Sequence, residues 1–262
     1  MFSFFSANKL SSTESVDIIE KIVYDYIKPL GFKKYGRTLH RFVDGDISQV
    51  INFQNGCPQR GVYNTLWVNV GIRVPECVER KFENIKPIKK YYHEYECNIR
   101  ARLGCLVDGK DTFYNLQKDP YKIGQHIVKR LKKYVIPVFE ALNSRDAILN
   151  HRTEYPSFDQ FNRYLISLEE AMIMGRHGNI SEATRLFNAH YKKALADYNH
   201  QLTHGTQTYL KKGQSLYHYD SKAGEVEKFI AEEDGYITTY FASRVHLDYL
   251  ENLALELDIV IS

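Results

Sequence analysis

A chain of 262 residues is long enough for one large or two modest domains with a sizeable core. Hydrophobic residues make up 44% and charged residues 26%, the balance of a globular protein and not of a disordered or fibrous one. The net charge of +3 does not by itself point to nucleic acid, and no stretch approaches the roughly 18 consecutive apolar residues of a membrane helix.

Met1 to Leu10 holds aromatics but no basic leader and no long apolar run, so no signal peptide is expected. Ser11, Ser12 and Thr13 then offer N-cap oxygens, with Glu14 available to the first turn. Ile18, Ile19, Ile22, Val23, Tyr26, Ile27 and Leu30 share one helical face, and Pro29 and Gly31 stop the helix.

Arg37–Val43 reads as a first strand, Asp44-Gly45-Asp46 as a turn, and Ile47–Gln54 as a second strand. Asn55 to Gly61 is loop chemistry. In Tyr63–Val74, Leu66, Val68, Val70, Ile72 and Val74 alternate with Thr65, Trp67, Asn69, Gly71 and Arg73. A period of two with β-branched residues on one parity predicts a strand with one buried face. Pro75–Tyr92 is rich in Lys and Glu and reads as a loop or a short helix. Tyr95–Cys105 alternates again and predicts a fourth strand, with Cys97 and Cys105 on the buried parity. After the turn Asp108–Asp111, Tyr121–Leu142 is a helix that Pro137 should kink. The expected fold is α+β: an antiparallel sheet of about four strands with helices on one face, over residues 1–154.

Tyr155-Pro156-Ser157 reads as the boundary, and 155–262 as a mostly helical region. Phe158, Phe161, Leu165, Leu168 and Met172 mark one helix. Gly175–Asn179 turns the chain and Ser181 is the expected cap of a second helix, giving an αα-hairpin. Ala171 and Ala183 are placed as in tetratricopeptide repeats, but one hairpin is short of the three repeats such arrays need. Gly205–Gly224 reads as irregular, and Thr238–Leu257 as a closing helix.

Four stretches carry a family likeness: Lys28-Pro29-Leu30-Gly31-Phe32-Lys33-Lys34 with Arg37-Thr38, Val50–Gln54, Val68–Ile72, and Arg102-Leu103-Gly104. In their order and spacing the first 150 residues or so resemble a bacterial family catalogued as domain-of-unknown-function family 4304. Where that family tends to place tryptophan after an acidic turn, this chain has Phe113-Tyr114. The resemblance implies the fold boundary and no chemistry, and the C-terminal half resembles no family.

Several residues invite chemistry. Cys57, Cys77, Cys97 and Cys105 include no C-x-x-C pair, so reduced thiols in a cytoplasmic protein are expected, not a zinc site. His200 and His204 have the spacing of two zinc ligands, but Gln201 stands where the metalloprotease base belongs, and Thr203-His204-Gly205 also reads as a helix end. His218-Tyr219-Asp220 and Ser215 lack a nucleophile elbow, and the Gly175/Gly178 turn lacks the lysine of a phosphate loop. No catalytic residue, metal or cofactor is expected.

Lys86, Lys89 and Lys90 precede Tyr91-Tyr92, and Lys129, Arg130, Lys132 and Lys133 form a second basic group. Either could track a nucleic-acid backbone or simply solvate a helix face, and Glu76, Glu79, Glu83, Glu94 and Glu96 dilute the first. The polar parity of the sheet gathers Asn52, Gln54, Trp67, Asn69, Arg73, Arg100 and Arg102, the composition of a binding surface unless the C-terminal helices cover it. The expected function is a cytoplasmic, non-catalytic protein-binding module, with an immunity-type or inhibitory role as one form and another protein as partner. A nucleic-acid-associated protein and a hydrolase with dispersed residues stay open as alternatives.

Overall fold

The first helix, α1 (Ser12–Ile27), starts where the Ser11 hydroxyl accepts from the Glu14 N–H at 3.2 Å and the Glu14 carboxylate accepts from the Ser11 N–H at 2.8 Å. This reciprocal box satisfies two backbone donors that no carbonyl could reach. Val16, Ile19, Val23 and Ile27 make its buried stripe. The computed structural model describes residues 10–56, 61, 63–78, 89–158, 165–220, 225–239 and 244–262. Cys57, Glu79, Glu83, Lys86, Phe161, Tyr240 and Phe241 lie outside these. The chain divides into two compact units, residues 1–166 and 167–262.

In the first unit, β1 (Lys33–Tyr35), β2 (Thr38–Val43), β3 (Ile47–Asn55) and β4 (Thr65–Arg73) pair in sequence order, each antiparallel to the next. The β2–β3 turn uses Asp44 (φ 47°) and Gly45 (φ 80°), a left-handed pair that Asp and Gly tolerate. Then follow α2 (Pro75–Val78), β5 (Ile99–Arg102), α3 (Leu103–Asp108), β6 (Tyr114–Asn115), α4 (Pro120–Arg130), α5 (Ile136–Ala141) and α6 (Arg145–His151). Both β5 and β6 pair with β4, at different points along it.

The predicted fourth strand is shorter than its alternation. Glu94–Glu96 is a 3₁₀ turn, β5 has four residues, and Leu103 opens a helix. Cys97 and Leu103 are buried for separate reasons that mimic a period of two, whereas Cys105 sits half-buried on α3. The helix expected over 121–142 is likewise interrupted. Pro137 has no N–H to give the carbonyl four residues back, and the ladder widens just before it into a π-turn over Leu131–Val135. There the Ile136 N–H reaches the Leu131 carbonyl.

The core lies on the sheet face that carries Leu39, Ile51, Phe53, Val68, Val70 and Ile72, all at most 2% exposed. Polar contacts fix which helices cover it. Glu20 of α1 holds Lys34 and Arg37, and Gln49 donates to the Phe139 carbonyl of α5. Arg41 reaches the Leu30 carbonyl and Glu140. Alongside, α4 meets α1 at Gly124: a Cβ there would stand 2.9 Å from the Ile22 side chain, so only glycine lets the helices come this close. Arg152, just before the predicted boundary, and Phe158, just past it, are both buried, and the Phe158 ring lies edge-on to Phe139 at 5.7 Å.

The second unit holds α7 (Ile166–Arg176), α8 (Ile180–His204) and α9 (Val245–Glu256). Asn179, not Ser181, caps α8, accepting from the Glu182 N–H. Tyr191 donates to Glu251 and joins α8 to α9. Between these helices the stretch expected to be irregular is a β-ribbon. β7 (Thr206–Leu210) pairs with β10 (Gly235–Thr239), and β8 (Ser215–Asp220) with β9 (Glu225–Ile230). One strand pair nests inside the other, linked by hydrogen bonds between Gly213, Gln214 and Ala231. The closing helix therefore begins at Val245 and not at Thr238.

Candidate functional site

The strand register sorts the seven singled-out residues onto the face opposite the core. Asn52 faces Asn69, which faces Arg102. Gln54 faces Trp67, Ser48 faces Arg73, and Gly71 faces Arg100. Because side chains alternate along each strand, one register fixes all of them to one side. Thr38, His40, Phe42 and Val50 share that side.

One end of this face is closed by the chain just before β5. Tyr92, 5% exposed, lies over the Arg73 guanidinium at 3.9 Å, and Tyr91 stacks on Tyr35 at 4.9 Å. Phe42 meets Tyr92 at 6.2 Å and His40 at 4.3 Å. Cys97 sits directly on Gly71, where an added Cβ would come within 2.7 Å of the cysteine Cβ. Gly71 is thus the gap in the strand that lets this segment down onto the sheet. The Asn98 side chain then accepts from the Val74 N–H at 2.8 Å.

Burial shapes the chemistry of this closed end. His40 is 2% exposed and its Nε2 has no hydrogen-bond partner among the described residues. Desolvation, with Lys33 adding repulsion, pushes its pKa down to about 4, so the imidazole is neutral near pH 7. Burial pushes the Cys97 thiol far up, which makes it a poor nucleophile. Arg73 is 4% exposed and belongs to this packed end.

The other end is open. Trp67 is half-buried, with its ring 5.6 Å from Phe113 and the Arg102 guanidinium 5.4 Å from its centre. Arg102 also pairs with Asp111. Asn69 donates to Gln54 at 3.0 Å, Asn52 donates to Thr38 at 3.0 Å, and Gln54 is exposed. The indole N–H of Trp67 is buried and has no acceptor among the described residues. This end offers aromatic surface, amides and a guanidinium, the groups that recognise another molecule without transforming it.

Periodicity does not point to Phe113 as the neighbour of Trp67, nor to Asp111 as the partner of Arg102. The link runs through β6, whose Tyr114 pairs with Leu66 and so sets Phe113 beside Trp67. A strand of two residues has no readable period, and only its pairing reveals it.

The remaining candidates are scattered. His200 and His204 stack on each other at 4.3 Å at the end of α8. Lys89 pairs with Glu96 at 2.5 Å, and Arg130 grips both oxygens of Asp108 at 2.9 Å. Ser215 lies on β8, as does the backbone of His218 and Asp220. Among the described residues no cluster of three metal-ligating side chains occurs, and no helix is long and apolar enough to cross a membrane.

Residues 23–141 match the model of a family described as Domain of unknown function (DUF4304). That span runs from α1 to the end of α5 and includes every residue of the sheet face, while the C-terminal part has no family match. No curated protein matches the chain, and no solved structure does.

Proposed function

We propose that this chain is a non-catalytic protein-binding module of the bacterial cytoplasm, engaging another protein through the open end of the second sheet face. The observation that carries this reading is Trp67. It is the chain's sole tryptophan, held between Phe113 and Arg102 and only half-buried, so that part of a large aromatic ring is left facing outward. A partner's apolar group would cover the part of the ring that stays exposed, and the neighbouring rim of Gln54, Asn52 and Arg102 supplies hydrogen bonds. Tryptophan beside arginine is the usual composition of an interface anchor.

An inhibitory or immunity-type role is the form of binding that a small α+β module without an assembled nucleophile and base fits best, an argument from analogy of folds. The nucleic-acid alternative is weakened by ion pairing: Lys89, Arg102 and Arg130 are each matched to a carboxylate, which lowers the field they present.

The test is affinity capture from the native host with the full chain and with Trp67→Ala, read by mass spectrometry. The expected result is a protein captured by the first and lost with the second at equal bait folding. Equal capture by both would remove the sheet face from consideration.

A further inference from the structure

Beside the sheet edge, residues between Asp108 and Arg130 line an open cleft of about 470 Å³. That is within the roughly 300–1,000 Å³ of small-molecule sites. Its walls combine rings and charge. Phe113 is 54% exposed, and the Tyr114 ring meets His126 edge-on at 5.9 Å.

The two carboxylates facing the cleft are already engaged. Asp108 accepts from both Arg130 nitrogens and from the Thr112 hydroxyl, which holds its pKa below the usual carboxylate range. Asp119 caps α4, accepting from the Tyr121 and Lys122 N–H groups. The side-chain ammonium groups of Lys118 and Lys122, in contrast, have no ion-pair or hydrogen-bond partner among the described residues. The Tyr114 hydroxyl is buried and the Arg130 guanidinium lies 6.0 Å from the ring centre, so this residue offers the cleft its ring and not its hydroxyl. His126 is held below its ordinary pKa by desolvation and by Arg130, and contributes a neutral ring.

We propose that this cleft binds a small phosphate monoester carrying a planar ring, the chemistry of a nucleoside monophosphate. Two uncommitted ammonium groups match the two negative charges of a phosphate monoester. The ring of such a ligand would lie against Phe113 and Tyr114. The site is separate from the protein-binding face, although Phe113 touches both.

That shared residue supplies a reporter, because Phe113 lies 5.6 Å from the only tryptophan. The experiment titrates adenosine 5′-monophosphate, inorganic phosphate and benzoate into the full chain, by Trp67 fluorescence and calorimetry. Adenosine 5′-monophosphate should bind saturably, and inorganic phosphate and benzoate each about tenfold or more weaker. A Lys118→Gln/Lys122→Gln variant should lose about tenfold or more in affinity, with an unchanged melting temperature. No saturable binding of the nucleotide, or unaltered affinity in the lysine variant, overturns the proposal. Inorganic phosphate binding as tightly as the nucleotide would remove the ring from the recognition, and benzoate doing so would remove the phosphate; either result also overturns it. Trp67→Ala should still show the calorimetric signal, which separates this site from the protein-binding reading.

Discussion

Arg102 is shared between two neighbours: its guanidinium lies 5.4 Å from the centre of the Trp67 ring while it pairs with Asp111. The carboxylate holds the cation in place beside the indole, so the open end of the sheet is arranged before any partner arrives. A surface organised in this way loses less side-chain freedom on binding.

Val70 and Trp67 lie on the same strand but on opposite faces. Val70 is fully buried between Ile51 and Ala101 of the neighbouring strands, so Val70→Asp places a carboxylate among apolar side chains. That costs several kcal/mol of a typical stability of roughly 5–15 kcal/mol and should unfold the first unit. Trp67→Ala should cost only about 1 kcal/mol of stability and weaken partner binding by about 2 kcal/mol or more. Thermal melts of both variants decide the matter. A loss of roughly 3–5 kcal/mol at Trp67 would make it a core residue and sink the open-face reading.

His40 makes stability depend on pH. Its folded pKa of about 4 lies below the unfolded value of 6.5, so between these values the unfolded chain binds more protons. Stability is therefore complete above about pH 6.5 and declines as the pH falls towards 4, by about 3 kcal/mol from this group. Urea melts at intervals between pH 7 and pH 4 should show this slope. His40→Leu should flatten it, and an unchanged slope in that variant would assign the effect to other groups.

Arg145 gathers three carboxylates. It reaches Glu76 at 2.5 Å, Asp46 at 2.6 Å and Asp44 at 3.3 Å, and thereby ties α6 to α2 and to the β2–β3 turn. The Glu76 side chain is only 2% exposed. Arg145→Met should cost about 3–5 kcal/mol, since it removes the cation and leaves the charge inside. Adding Glu76→Met should restore much of the loss. A double-mutant cycle with no coupling between the two positions would refute this account.

Thiol reactivity should follow burial. Cys97 is 3% exposed with a raised pKa, whereas Cys77 and Cys105 are half-buried. Timed alkylation of native protein, followed by peptide mass spectrometry, should label Cys77 and Cys105 well before Cys97. Labelling of Cys97 at the rate of Cys105 would contradict its seat on Gly71.

The strands β2, β3 and β4 were legible because each buries one whole parity, and burial on one face is what period two records. The same logic correctly set Trp67, Asn69 and Arg102 on the face opposite Val68 and Val70. It failed where burial has another origin. Cys97 is covered because Gly71 leaves room for it, and Leu103 because a helix turns it inward, yet together they look like one strand. The ribbon from Thr206 to Thr239 failed for the opposite reason. Tyr209 and Tyr236 are 49% and 72% exposed, and a two-stranded ribbon with little buried surface writes no apolar alternation. The cleft was illegible because Tyr114 and His126 meet only once β6 has paired with β4.

The contact between Ile22 and Gly124 also bears on how the chain is made. Strands β1 to β4 are each neighbours in sequence and can pair as they leave the ribosome, with α1 already available to cover part of their apolar face. The second cover, α4 with α5, is encoded after all of them. Until residue 141 has emerged, the nascent sheet keeps part of its apolar face without its final lid, the condition in which chaperones and unwanted strand pairing compete with folding. A pause in translation before Pro120 would lengthen that interval, and a circular permutation placing α4 ahead of β1 would abolish it.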